Sequence, residues 1–499
     1  MSYTLVDVAR RAAITIALCA PGALPSLAAA APIPAAPVTS LPLASGQPAT
    51  PHALVPAAPP QNPSMAKNPN SNIHNDTWMT DAYRRSGPLG KNLQATSGAH
   101  ALSLCASLAF DRKGRIVSVC PSNLAAPQAR IFDPKTLEVL ATYDMPEAPN
   151  PPGTLAFQNF TGGGYFFLDN KDQIWSATKT SHLFVLAEGA DGRSLTKVKD
   201  FDLSKVLTAN QRITSALPDF QGRIWFVSKK DGVIGVLNTK TKAIRTIKLG
   251  EEVENSFAVD RDAVYIVSDK RMYRFHASDA GKPVIDWKVT YKNSGITKPS
   301  QVDAGSGTTP TIMPGGYVTI TDNADPMNVV VYRTQAKLGK GKKRVVCEVP
   351  VFGKGASATE NSIMAARNAA FVENNYGYQD PFGATAGAPT TAGFARVDIK
   401  ADGSGCKKAW ENTTTAAPTV VPKLSTASGL IYTYIAPTDP TGVNAWYWAA
   451  IDARNGKEVW RTYSGSGLTF NNNYSGLAIG PDGTAYLGAI GGLLALRDG

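Results

Sequence analysis

Histidine and cysteine are both scarce, five of each in 499 residues. The histidines, His52, His74, His100, His182 and His276, form no HxH or HExxH spacing, so no local zinc motif exists. The cysteines form no CxxC and no adjacent pair, which excludes a thiol redox motif of that kind. Charged residues are only 18% of the chain and the net charge is +11, with no aromatic-basic pattern of the kind that binds nucleic acid. There is no GxSxG elbow and no P-loop. The apolar stretch 12–20 is too short to span a bilayer, so no transmembrane span is expected in the mature protein.

What is present begins with processing information. Arg10 and Arg11 precede the apolar stretch, Pro21-Gly22 breaks it, and Ala28-Ala29-Ala30 offers small residues for a signal peptidase. A signal peptide over 1–30 is expected, placing the protein outside the cytoplasm as a secreted, periplasmic or cell-surface protein. Residues 31–71 are rich in Ala and Pro without apolar alternation, and read as a disordered tether. The remaining 72–499 are read as a single folded domain. Four cysteines remain in this domain, Cys105, Cys120, Cys347 and Cys406, an even number suited to two disulfides in an exported chain. Cys105 and Cys120 flank a short hairpin, which leaves Cys347 and Cys406 for a longer-range bond.

An internal recurrence organises the body. Apolar strand, Gly/Asp/Asn turn and aromatic or Val-rich return strand appear at 108–120, 214–228, 255–268, 308–321, 361–374, 418–434 and 474–488, with a less regular member at 155–170. Third strands often follow, as at 232–249 and 446–463. Units of about 50 residues with this logic predict four-stranded antiparallel sheets arranged around an axis, an all-β β-propeller. Eight blades are expected, with seven as the alternative. The last unit is one strand short, and the region 78–101 is expected to supply it and close the ring.

Ala449-Ala450-Ile451-Asp452-Ala453-Arg454-Asn455-Gly456-Lys457-Glu458-Val459-Trp460-Arg461 resembles the strand-turn-strand signature of quinoprotein-type (PQQ-like) propeller repeats. The runs 131–139 and 236–244 resemble it without the closing Gly. The resemblance implies a propeller fold and a central funnel able to hold a quinone. The family's enzymes carry a vicinal cysteine pair, a tryptophan platform and a metal-binding Glu/Asn/Asp set, and no stretch here reproduces them. PQQ is therefore not expected.

Polar loops supply the candidate site. Asp322, Asn323 and Asp325 offer oxygen donors suited to a hard cation such as Ca2+. Glu360 and Asn361 lie at one end of a candidate hairpin, and Glu373 and Asn374 at the other. Equivalent strand ends of a propeller converge on one face, so these groups are expected to meet Asn255 near the axis, with Asn473 approaching from the last repeat. The basic run 337–344 is a hairpin tip able to contact an anionic envelope surface. The expected function is an exported noncatalytic propeller that binds an extracellular protein, glycan or small molecule. The alternative is a metal- or quinone-assisted oxidoreductase or hydrolase with its site in the funnel.

Overall fold

The turn chemistry of the repeats sets the hairpins. In FDRKGR, Asp111 Oδ1 accepts the backbone N–H groups of Lys113 at 2.9 Å and Arg115 at 2.8 Å. Asp169 does the same for Lys171 and Gln173, and Asp219 for Gln221 and Arg223. One carboxylate thus satisfies two turn amides and fixes the reversal between the first two strands of a blade. Trp175 and Trp225 donate their indole N–H to the same Asp169 and Asp219, tying the return strand to the turn.

The computed structural model describes residues 29–34, 39–100, 104–121, 126–149, 161–385 and 388–499. The expected leader lies outside the described residues apart from Ala29 and Ala30. Eight antiparallel sheets make an eight-bladed β-propeller. Their innermost strands are Leu108–Phe110, Phe167–Leu168, Ile213–Pro218, Ala258–Val259, Thr311–Met313, Met364–Ala365, Lys423–Ser425 and Ala478–Ile479, for blades 1 to 8. Blade 8 takes its outer strand from the N-terminal side: Gln94–Ala99 pairs antiparallel with Gly492–Arg497. That is the ring closure expected from the missing strand: the N-terminal side of the chain completes the blade made by the C-terminal strands.

Core residues fill the seams between blades. Trp225, Trp446 and Trp448 are fully buried, and Tyr434 stacks on Trp446 with ring centroids 5.4 Å apart. Both disulfides join the expected partners. Cys105–Cys120 closes the first hairpin of blade 1, and Cys347–Cys406 staples the outer strands Val345–Pro350 and Cys406–Asn412 of blades 5 and 6.

The stretch 31–71 departs from the sequence expectation. Its described residues lie along the body instead of forming a loose tether. Ala44–Gly46 pairs with Glu458–Ser466 and covers the outer edge of blade 7. Thr39 and Ser40 hydroxyls donate to Asp439, and His52 and Leu54 donate backbone N–H groups to Ser428 and Thr426. Proline lacks an N–H and is already restricted in φ, so an extended Pro-rich strap loses less entropy on docking and needs few partners.

The segment 70–83 then runs round the inner ring as a plug. Its carbonyls accept N–H groups from Phe110, Leu168, Val259, Ile312, Ala365 and Leu424, on the innermost strands of six blades. Phe110, Leu168, Val259 and Ala365 are the last residues of their strands, and Ile312 and Leu424 the middle residues of theirs. The plug thereby closes one side of the funnel and leaves the starts of those strands open on the other.

Candidate functional site

The axial pocket opens where the innermost strands begin. It is a recess of about 50 Å3 floored by Ile73 and His74 of the plug and walled by residues just before the first strands of several blades. Ser107 comes from blade 1, Tyr165 from blade 2, Asn255 from blade 4, Glu360 and Asn361 from blade 6 and Tyr474 from blade 8. Val302, on the connection between blades 4 and 5, completes the wall.

Three of the expected residues therefore meet near the axis: Asn255, Glu360 and Asn361. Asn255 accepts the Tyr165 hydroxyl at 3.1 Å and donates to Ser306 O at 3.3 Å. Glu360 Oε1 accepts the Val302 N–H at 3.0 Å. Asn361 donates to the Val420 carbonyl at 2.8 Å and to Glu373. Glu373 sits one layer behind, where Oε1 also accepts the Asn375 amide at 2.9 Å and Oε2 has no hydrogen-bond partner.

The other expected residues serve their own loops. Asp322 accepts the N–H groups of Ala324 and Asn328 and the Asn328 side-chain amide, a closed turn. Asn323 donates to Asn293 and Ile296, and Asp325 accepts the N–H of Gly355. These three do not line the pocket, which corrects the expected meeting of Asp322 with Asn255. The second strand of blade 5 does end on the pocket's face, but a second strand lies farther from the axis than a first. Among the described residues no group of three His, Cys, Asp or Glu side chains is arranged to hold a metal ion. Asn374 ties down Ala356 and Ala358, and Asn473 accepts the Tyr378 hydroxyl at 3.0 Å beside Tyr474.

Residues missed by sequence reasoning complete the site. Glu254 pairs with Lys229 at 2.6 Å. Burial raises the Glu254 carboxyl against that pairing. Burial, reinforced by Glu254, pushes Asp303 up to about 7. Glu360 is raised well above the ordinary carboxylate range by burial and by the charges of Asp303 and Glu254. Three carboxyl groups raised by burial thus stand near one another and near one paired ammonium. Tyr474 donates its hydroxyl to the Ser300 carbonyl at 2.6 Å, holding the 297–303 connection over the pocket.

Beneath the floor lies a charged anchor. His74 Nδ1 is 3.1 Å from Asp81 Oδ2, and Lys423 Nζ bonds both Asp81 and the Ile73 carbonyl, with Lys423 and Asp81 side chains wholly buried. Burial acts to raise Asp81, but Lys423 and His74 outweigh it and hold the carboxyl below its ordinary range. His74 Nε2 is left 3.3 Å from the Thr309 hydroxyl, with the ring lining the pocket.

No protein-family model matches the chain. An uncharacterized protein of Archaeoglobus fulgidus is 26% identical over 371 residues, 67% of this chain and 70% of that protein. The quinohemoprotein alcohol dehydrogenase of Comamonas testosteroni matches over 87% of this chain and 80% of its own, with 12% identity and a TM-score of 0.50. The WD40 domain of SCAP from fission yeast matches over 81% of this chain and 98% of its own, with 9% identity and a TM-score of 0.45. The likeness to the dehydrogenase shows the fold alone. Its quinone does not fit this funnel. PQQ carries three carboxylates, which would face Glu254 and Glu360 with Asp303 behind them, while Lys229 is already paired. No tryptophan lines the pocket, and Cys105, Cys120, Cys347 and Cys406 are held in disulfides.

Proposed function

We propose that the protein is an exported binding propeller whose ligand is a small hydroxyl- or amine-bearing molecule held in the axial pocket. The observation that carries this reading is the Glu254, Asp303 and Glu360 group, raised by burial and set beside Asn255, Tyr165 and Tyr474. Carboxyl, amide and phenol groups together offer both hydrogen-bond donors and acceptors, and this suits a polyol. A protonated amine would instead pair with these groups as carboxylates. An anion is disfavoured by the same group. Export is supported by the leader and by two disulfides, and among the described residues no helix is long and apolar enough to cross a membrane. The exposed lysines at the blade 5 tip, Lys337, Lys340, Lys342 and Lys343, provide the surface for an anionic envelope.

The test is calorimetric titration with neutral monosaccharides and with small primary amines, on the parent and on Asn255→Ala and Glu360→Gln. Saturable binding that Asn255→Ala weakens supports the reading. Stronger loss in Glu360→Gln identifies the amine class. Absence of saturable binding by both classes overturns it.

A second reading rests on the His74–Asp81 pair, whose imidazole is oriented by a buried carboxylate and presents Nε2 towards the pocket. Such a base in the same pocket as Glu360, whose carboxyl is raised by burial, is equipped for acid-base catalysis of hydrolysis or elimination. Proton NMR of a bound ligand over time decides: conversion that stops in His74→Gln while binding persists makes the protein an enzyme.

A further inference from the structure

The plug has a second side. Opposite the axial pocket, the strap residues 56–59, Lys67 to Pro69 and the plug's outer surface line an open recess of about 200 Å3. Lys67 and Arg84 line it, both exposed, and among the described residues neither side chain makes a hydrogen bond or an ion pair. The contrast with the next residue is direct: Arg85 donates to Asn70 Oδ1 and the Ile479 carbonyl.

Among the described residues one carboxyl group lines the wall, Asp76, and both its oxygens accept hydrogen bonds from the plug itself. Its Oδ1 accepts the Trp78 N–H at 2.9 Å and its Oδ2 the Thr80 hydroxyl at 2.5 Å. Burial pushes it up to about 7, so it only partly offsets the two cations at neutral pH. The prolines and alanines of 56–59, Pro69, Ala82 and Tyr83 give the recess an apolar side, and Gln61, Asn68, Thr80 and Thr426 complete the lining. Arg85 lies 4.8 Å over that tyrosine ring and adds to the positive field. The recess therefore pairs two unengaged cations with an apolar shelf, the reverse of the axial pocket's chemistry.

We propose that this recess binds a phosphate monoester of a small alcohol. The dianionic head is held between the Lys67 ammonium and the Arg84 guanidinium, which suits planar bidentate contact, and the organic part lies on the Pro/Ala wall against Tyr83. The proposal does not rest on the identity of the axial ligand, because among the described residues none lines both recesses.

Calorimetric titration of the full folded protein with glycerol 3-phosphate tests it, with glycerol and inorganic phosphate run alongside. The expected result is saturable binding that weakens with added salt and falls about tenfold in Lys67→Ala and in Arg84→Ala. Glu360→Gln in the axial pocket is expected to leave it unchanged. Both exposed substitutions should leave the unfolding midpoint at the parent value, so a loss of binding is not a loss of fold. No saturable heat with the ester, or parent-like affinity in the Lys67→Ala/Arg84→Ala double variant, overturns the proposal. Inorganic phosphate binding as tightly as the ester overturns the organic half of the site.

Discussion

Replacing Glu373 by Gln should change how stability depends on pH. Glu373 is 1% exposed, accepts two amides at Oε1 and leaves Oε2 without a partner. Burial pushes its carboxyl up to about 8 from 4.5 in the unfolded chain. A raised carboxyl stabilises the fold fully below the unfolded value and loses that contribution as pH rises through the folded one. The parent should therefore lose stability from about pH 4.5 to pH 8 through this group. At about 1.4 kcal/mol per unit the full effect is about 3–5 kcal/mol. Glutamine keeps the acceptor for Asn361 and Asn375 and does not ionise. Equilibrium urea unfolding of both proteins at pH 5, 7 and 9 should show the variant gaining on the parent at each step, with most of the gain in place by pH 9. Asp76, Asp303 and Glu360 titrate in both proteins and cancel in the difference. Parallel pH profiles would refute the placement of a strained carboxyl at this position.

The buried Lys423–Asp81 pair makes a second prediction. Lys423→Met leaves the buried Asp81 with His74 but without its ammonium partner and should cost about 3–5 kcal/mol in urea unfolding at pH 7, while adding Asp81→Asn should restore part of it. A loss below about 1 kcal/mol in the single variant would contradict the buried pairing. For the 59-residue separation between Cys347 and Cys406, replacing both by Ser should cost about 4 kcal/mol by loop entropy, and the Cys105/Cys120 pair about 3 kcal/mol. Thiol labelling of the unreduced, denatured protein should find none of these four cysteines free, and labelling of any would break the assignment. Asp439→Ala removes the acceptor for Thr39 and Ser40 and should speed proteolytic cleavage near residue 40, with digestion patterns elsewhere unchanged.

The blades were legible because hairpins advertise themselves locally. Apolar alternation, an Asp that bonds the amides two and four residues on, and a left-handed turn position recur within a dozen residues. At 452–456 the turn residue is Gly456, at φ +74°, with the Trp410 ring packed where a side chain would begin. The weaker copies place Leu137 and Lys242 at φ +59°, which explains why they resembled the signature without its glycine. Asn255, Glu360 and Asn361 were legible for a related reason: residues just before an innermost strand are fixed in both face and radius. Asp322 was not, since the end of a second strand fixes the face alone.

The plug was not legible at all. SNIHNDTWMTD alternates in no period, because its pairing partners are single N–H groups contributed by six different blades. His74 and Asp81 are buried by that arrangement, and nothing local marks them. The strap failed for a complementary reason. A composition that cannot build a core can still dock on a core that exists, provided its sparse N–H groups find edges such as those of blade 7.

The plug also fixes how the two recesses relate. Ile73 and His74 floor the axial pocket, and Asp76 and Thr80 wall the phosphate recess, so one short segment separates an acidic cavity from a basic one. Asp81 pins that segment to Lys423 between them. The two linings take different residues of this one segment. The segment is held by hydrogen bonds from the blades and by one buried ion pair. Binding on one side therefore need not move a blade to be felt on the other; it needs only to shift the segment around Asp81. Lys423→Met removes the pin while leaving every lining residue in place, and should change the affinities of both recesses together. Loss of one affinity alone would show that the plug behaves as two independent halves.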